Sequence, residues 1–245
     1  MSEAVVLFHQ GWTDIINSIG LVQYLSVLYD KLYVMIREDA IDLILYIFRD
    51  WSDSIVPIAV HRESLDEVHP YDILEMAGIN ITHIANHMHG LYDVYREDEY
   101  AEVYNKSRAD GMFFVEAFYT PYTIPYSVRT EWFAVTRDEE REKAVYEAFT
   151  QLHGTEYGLQ HLIDIESSKY PIISLNMISD YIFDMTLVLD RAKEIHVIDS
   201  VWAVVIYHLQ VKYGICSSIP VYLSCKRGYD EMFSLPIKHP NWIWV

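Results

Sequence analysis

Cationic side chains are scarce in this chain. Eighteen Lys and Arg stand against 36 Asp and Glu in 245 residues, a formal net charge of −18. Non-specific nucleic-acid binding needs cations to neutralise phosphates, so that class is excluded. A small phosphate ligand is not, because backbone N–H groups at a helix N-terminus hold one without a basic surface. Cysteine is scarcer still: Cys216 and Cys225 fit no zinc-ligand spacing and point to a reducing compartment. The start, MSEAVVLFHQGW, lacks the basic region and apolar run of a signal peptide. No apolar run reaches the roughly 18 residues of a membrane span. A cytoplasmic protein is expected. Four catalytic or nucleotide-binding patterns are missing as well. There is no G-x-x-x-x-G-K-[ST], no G-x-G-x-x-G, no G-x-S-x-G and no Asp-x-Asp. A P-loop, a standard dinucleotide site, a hydrolase elbow and a diphosphate bridged by a metal on Asp-x-Asp therefore have no support.

What is present is apolar and aromatic. Hydrophobic residues make up 51% of the chain, enough for a packed core, and 20 Tyr and six Trp serve cores and ligand clefts alike. The apolar run Val5–Phe8 reads as a buried strand broken by Gly11. Ile15, Ile16, Ile19, Val22 and Leu25 then share one helical face, with Thr13 or Asp14 as N-cap. Strands over Lys31–Ile36 and Ser54–Val60 flank a helix over Asp39–Phe48. A helix over Tyr71–Ala77 precedes a strand over Ile79–Ile84. The polar stretch Asn86–Asp110 reads as loop with one helix, about Glu97–Arg108, and Gly111–Tyr119 as helix. TPYTIPY, Thr120–Tyr126, cannot continue a helix and marks a lobe boundary at 125/126.

The second half repeats the alternation. A helix over Asp138–Leu152 would turn Ala144, Val145, Ala148, Phe149 and Leu152 inward. Strands follow over Tyr157–Ile163, Ile172–Leu175, Glu194–Ile198 and Val221–Leu223, with helices over Phe183–Ala192 and Val201–Leu209. NWIWV, Asn241–Val245, is an aromatic tail. Strands alternating with helices predict an α/β chain of two Rossmann-like lobes, 1–125 and 126–245, each a parallel sheet, with a cleft between them.

Two junctions could carry chemistry. His9-Gln10-Gly11-Trp12-Thr13-Asp14 stands where the first strand hands over to a helix. Ligands bind at such carboxyl ends in open α/β sheets, and Gly11 would let backbone approach one closely. Asp14 could deprotonate a hydroxyl there or simply cap the helix. Asp199-Ser200 precedes the helix from Val201, where N–H groups and a hydroxyl suit a diphosphate or, again, a cap. His83, His87 and His89 have spacing that can bind metal, against solvated loop histidines as the alternative. Arg129 could pair with phosphate or form a surface salt bridge. Trp12, Trp132 and Trp202 could stack on a base or sugar, or fill the core.

GWTDIINSIGLVQYLS, after VVLFH, resembles the first strand-loop-helix of heptosyltransferase-like GT-B glycosyltransferases. AKEIHVIDSVWAVVIYHL resembles the donor lobe of GT-B enzymes, including fucosyltransferase-like ones. The stretch from FFVEAFYTPYTIPYSVR to YGLQH is similar to small glycosyltransferases of large DNA viruses such as chloroviruses. The resemblance implies a GT-B enzyme that moves a sugar from a nucleoside-diphosphate sugar, UDP or GDP, to a glycan hydroxyl, in the host cytoplasm if the gene is viral. It implies Asp14 as general base, with inversion, no essential metal and no cofactor beyond the nucleotide sugar. His9, Gln10, Gly11, Trp12 and Thr13 would then meet the acceptor. His161, Asp199, Ser200, Arg129, Lys226 and Arg227 would meet the donor, while His196, inside its strand, would pack. The rival expectation is a non-catalytic two-lobed module that binds a nucleotide, a sugar or a protein.

Overall fold

In a computed structural model the chain is described at residues 3–7, 11–51, 53–61, 70–79, 84–88, 115–116, 119, 124–163, 165, 168–175, 181–224 and 239–245. It divides into two units, Met1–Thr136 and Arg137–Val245.

The first unit holds strands β1 (Glu3–Leu7), β2 (Lys31–Arg37), β3 (Ile55–Val60) and β4 (Ile84–Met88), all parallel, in the order β3-β2-β1-β4. Helices α1 (Trp12–Ser26), α2 (Ile41–Ile47), α3 (Pro70–Met76) and the short α4 (Val128–Glu131) belong to it. The apolar strand runs select this arrangement, because a parallel sheet is covered on both faces and its strands read as continuous Val, Ile and Leu. Val5, Tyr33, Met35 and Val60 pack with Leu74 of α3 on one face. The chain builds outwards from β1 to β3 and then returns to the other side of β1. The order therefore reverses between β1 and β4, and the carboxyl ends of those strands are where an open α/β sheet takes its ligand.

The second unit holds a five-stranded parallel sheet in the order β6-β5-β7-β8-β9. Its strands are β5 (Gly158–His161), β6 (Ile172–Ser174), β7 (Ile195–Ile198), β8 (Val221–Ser224) and β9 (Trp242–Trp244). Its helices are α5 (Glu139–His153), α6 (Thr186–Arg191) and α7 (Val201–Tyr213). Counted in chain order this is the flavodoxin-like 2-1-3-4-5 arrangement, whose reversal lies between β5 and β7. Tyr157, Leu159, Phe183, Val188, Val197, Val204 and Leu223 fill its core. The Tyr157 hydroxyl donates to the Val188 carbonyl at 2.8 Å. Two ion pairs hold α5: the Arg141 guanidinium donates to buried Asp184 Oδ2 at 2.7 and 3.1 Å, and Arg137 grips Glu142.

Several expectations change. The units separate at Thr136/Arg137, later than 125/126, because the segment after the prolines packs back on α1. The strand expected over Ile79–Ile84 is found at Ile84–Met88, so Asn86–Met88, expected as the start of a loop, pairs with β1 instead. NWIWV contributes β9, the fifth strand, rather than a tail. Leu152 is 80% exposed and Ala144 and Ala148 are exposed, so Phe149 alone of the five expected α5 residues is fully buried. The helix expected over Glu97–Arg108 lies outside the described residues, as does most of Gly111–Tyr119; of the latter, Val115 and Glu116 are 3-10 helical and Tyr119 is in a turn.

Candidate functional site

Helix α1 starts at Gly11, whose carbonyl accepts from the backbone N–H groups of Asp14 and Ile15, both at 3.1 Å. Gly11 is the N-cap, with no side-chain capping bond. Neither Thr13 nor Asp14 caps the helix, which corrects that expectation. Asp14 is instead the third helical residue and the acid of the first turn, where the helix dipole favours negative charge. It is buried, at 8% exposure. A Cβ built on Gly11 would stand 2.9 Å from Asp14 Oδ2, so the carboxylate lies folded back over the junction. Trp12 at the first helical position is 36% exposed beside it. His9 and Gln10 lie outside the described residues.

A strap of chain fixes the rest of α1. Twelve of its 15 residues are buried, polar Asn17, Ser18, Gln23 and Ser26 among them. Buried Asn17 and Gln23 are met by Tyr119, Arg129 and Ala134. The Tyr119 hydroxyl donates to the Asn17 carbonyl at 2.8 Å, Arg129 Nη1 to Asn17 Oδ1 at 2.9 Å, and the Ala134 N–H to Gln23 Oε1 at 2.8 Å. Trp132, half-buried, packs edge-on against Tyr24. Gly20 makes the approach possible: a Cβ there would fall 2.6 Å from the carbonyl oxygens of both Val128 and Arg129. A mid-helix glycine costs about 1 kcal/mol against alanine, so close packing is what it serves. Arg129 is 1% exposed and 4.8 Å from the Tyr126 ring. Its Nη1 is bonded to α1 in the interior, so the alternative of a surface salt bridge is replaced.

The second junction brings together two residues named separately from the sequence. His161 ends β5, and Ser200 follows β7 as the N-cap of α7. The parallel register aligns His161 with Val197, which brings the carboxyl ends of both strands level at the reversal point. His161 Nδ1 and Ser200 Oγ are 2.9 Å apart, and both residues are buried. Ser200 makes no side-chain cap bond to its own helix, and the first turn of α7 carries no acid. Asp199 is half-buried between β7 and α7. Next to His161, Leu162 has φ of 56° and is 56% exposed. Left-handed backbone costs a leucine roughly 1–2 kcal/mol, and no core packing repays it here. Nothing local in the sequence marked that residue.

Of the other expected residues, His196 packs: its ring stacks on Tyr222 at 4.5 Å, and burial lowers its pKa against the opposing pull of Glu194. Trp202 is core. His87 lies in β4 beside Val6, while His83 and His89 lie outside the described residues. Among the described residues no group of three or more His, Cys, Asp or Glu could hold a metal ion, and no helix is long and apolar enough to cross a membrane. Lys226 and Arg227 lie outside the described residues.

No protein-family model matches the chain, and no curated protein does. Among solved structures it is similar to the glycosyl transferase family 9 protein of Veillonella parvula DSM 2008. The TM-score is 0.56 at 12% identity, over 100% of this chain and 86% of that one. At that identity the likeness speaks for the fold: parallel sheets with helices, matching the GT-B glycosyltransferase architecture.

Proposed function

We propose that the chain is a glycosyltransferase that moves a sugar from a nucleoside-diphosphate sugar to an acceptor hydroxyl, with inversion. The acceptor meets the Gly11–Asp14 junction, with His9, Gln10, Trp12 and Thr13 around it. Asp14 takes the hydroxyl proton as that oxygen bonds to the anomeric carbon, and the carbon–oxygen bond to the diphosphate breaks. Direct displacement of this kind inverts the anomeric centre. The diphosphate leaves with its negative charge held at the N-terminus of α7, where first-turn N–H groups point outwards. The paired His161 and Ser200, 2.9 Å apart, meet a phosphate oxygen there. Asp199 accepts from sugar hydroxyls, and Lys226 and Arg227 add positive charge. With the leaving group stabilised in this way, the reading needs no metal.

The observation that carries the proposal is the 2.9 Å contact between His161 and Ser200 at the reversal point of the second sheet, before a helix start with no acid of its own. The GT-B-like fold supports the same direction. Calorimetric titration with UDP and GDP tests it. One of them should bind, and the matching sugar nucleotide should be slowly hydrolysed. Failure of both to bind at about millimolar concentration, some −4 kcal/mol of affinity, removes the reading in favour of a partner-binding module.

A further inference from the structure

Gly11 has φ −88° and ψ 142°, a conformation open to every residue. Its backbone does not require glycine. The described atoms that a Cβ would meet within 4 Å belong to Asp14: Oδ2 at 2.9 Å and Cγ at 3.7 Å. A methyl carbon and a carboxylate oxygen at 2.9 Å are inside contact distance. One of the two must move. The helix is poorly placed to do so, because Arg129 on Asn17, Tyr119 on the Asn17 carbonyl and Ala134 on Gln23 hold its outer side. Val128 and Arg129 lie close against Gly20 as well. The carboxylate, at the end of a side chain with two torsions, is the part that yields.

We propose that Gly11 is a positioning residue for Asp14. The missing Cβ leaves the space in which the carboxylate folds back over the strand–helix junction, and that placement is the one from which it takes the acceptor's proton. The glycine thus serves the acid rather than a close approach of ligand to backbone. The inference rests on Asp14 as the base of the proposed transfer, but its steric half is read without any substrate.

The test is a thermal cycle of wild type, G11A, D14A and G11A/D14A. At ordinary backbone angles alanine restricts the unfolded chain more than glycine and stabilises the fold. In the D14A background, G11A should therefore raise Tm by about 1–4 °C. In the presence of the Asp14 carboxylate, the rise should vanish or reverse. Equal shifts in both backgrounds overturn the proposal. With the sugar nucleotide identified by titration, G11A should lower kcat roughly 10–100-fold, as expected for a misplaced group, and leave the nucleotide Kd within about twofold. A normal kcat in G11A beside an inactive D14N overturns the positioning role and leaves the base reading intact. A fully active D14N overturns the base reading, and the positioning role with it, even where the thermal coupling is seen.

Discussion

At the end of β1 the chain enters α1 through Gly11 and sets Asp14 in the first turn. At the end of β7 it enters α7 through Ser200 and sets no acid there. Both junctions stand at the reversal point of a parallel sheet. A helix start carries partial positive charge, and the two starts treat it differently. The α1 start supplies its own anion from within, whereas the hydroxyl of Ser200 turns away from its helix towards His161. The first start is thereby suited to a neutral, proton-bearing group and the second to an anionic one. Under the proposed function, one residue in the first turn decides which kind of ligand the same topology takes. The helices are also held differently. A strap containing a buried arginine locks α1 through hydrogen bonds, while α7 is buried chiefly through Trp202, Val204, Val205, Ile206 and Leu209.

Removing the acid from the α1 start breaks the contrast most directly. Asp14→Asn should cut transfer about 10²–10⁴-fold, followed as release of nucleoside diphosphate, with nucleotide affinity unchanged. A near-wild-type rate would mean that this junction does no proton chemistry. The contrast in anchoring predicts the next largest effect. Arg129→Met removes a charged donor and leaves the Asn17 oxygen without it, at a cost of about 2–4 kcal/mol in urea unfolding. Nucleotide Kd should stay constant in that variant and in Arg129→Lys. Weaker binding without loss of stability would return Arg129 to the donor side. Ser200→Ala probes the second start. Because Ser200 makes no capping bond, Tm should move by less than about 2 °C, while nucleotide binding weakens roughly 3–10-fold. Unchanged affinity would detach the His161–Ser200 pair from the ligand.

The smallest effect concerns a histidine one strand position away from the strand's carboxyl-end pair with β5. Burial lowers the His196 pKa, so the folded chain binds its proton less readily than the unfolded one. The stability tied to the neutral ring is intact above the ordinary value of about 6.5 and is lost as pH falls from there through the lowered folded value. His196→Phe should keep the stack on Tyr222 and lose this sensitivity. Between about pH 7 and pH 5 the stability gap should shift in favour of the variant, read by urea unfolding at each pH. A constant gap would show that His196 titrates as freely as an exposed ring.

Local pattern was sufficient for much of this molecule. Continuous apolar runs marked β1, β2 and β3, and a change from run to helical period marked the entry into α1. Ser200 was legible at a helix start, and His161 only through the family resemblance. Their contact was not, because it arises from the parallel pairing of β5 with β7. The same limit hid the strap: Arg129 and Asn17 are 112 residues apart, and nothing near either predicts the other. Asn86–Met88 was read as loop because it opens a polar stretch; its place beside β1 is a tertiary outcome. The α5 expectation failed for the opposite reason. A helical stripe of Ala144, Ala148 and Leu152 has the right period, but within the described chain nothing covers it, and Phe149 alone supplies the anchor.

Leu162 stores backbone strain at the second junction. An exposed leucine held at a left-handed φ gains nothing from the core in return. Glycine or asparagine adopts the same backbone with less strain. The turn beside His161 is therefore a place where the fold can gain stability without any change to its core.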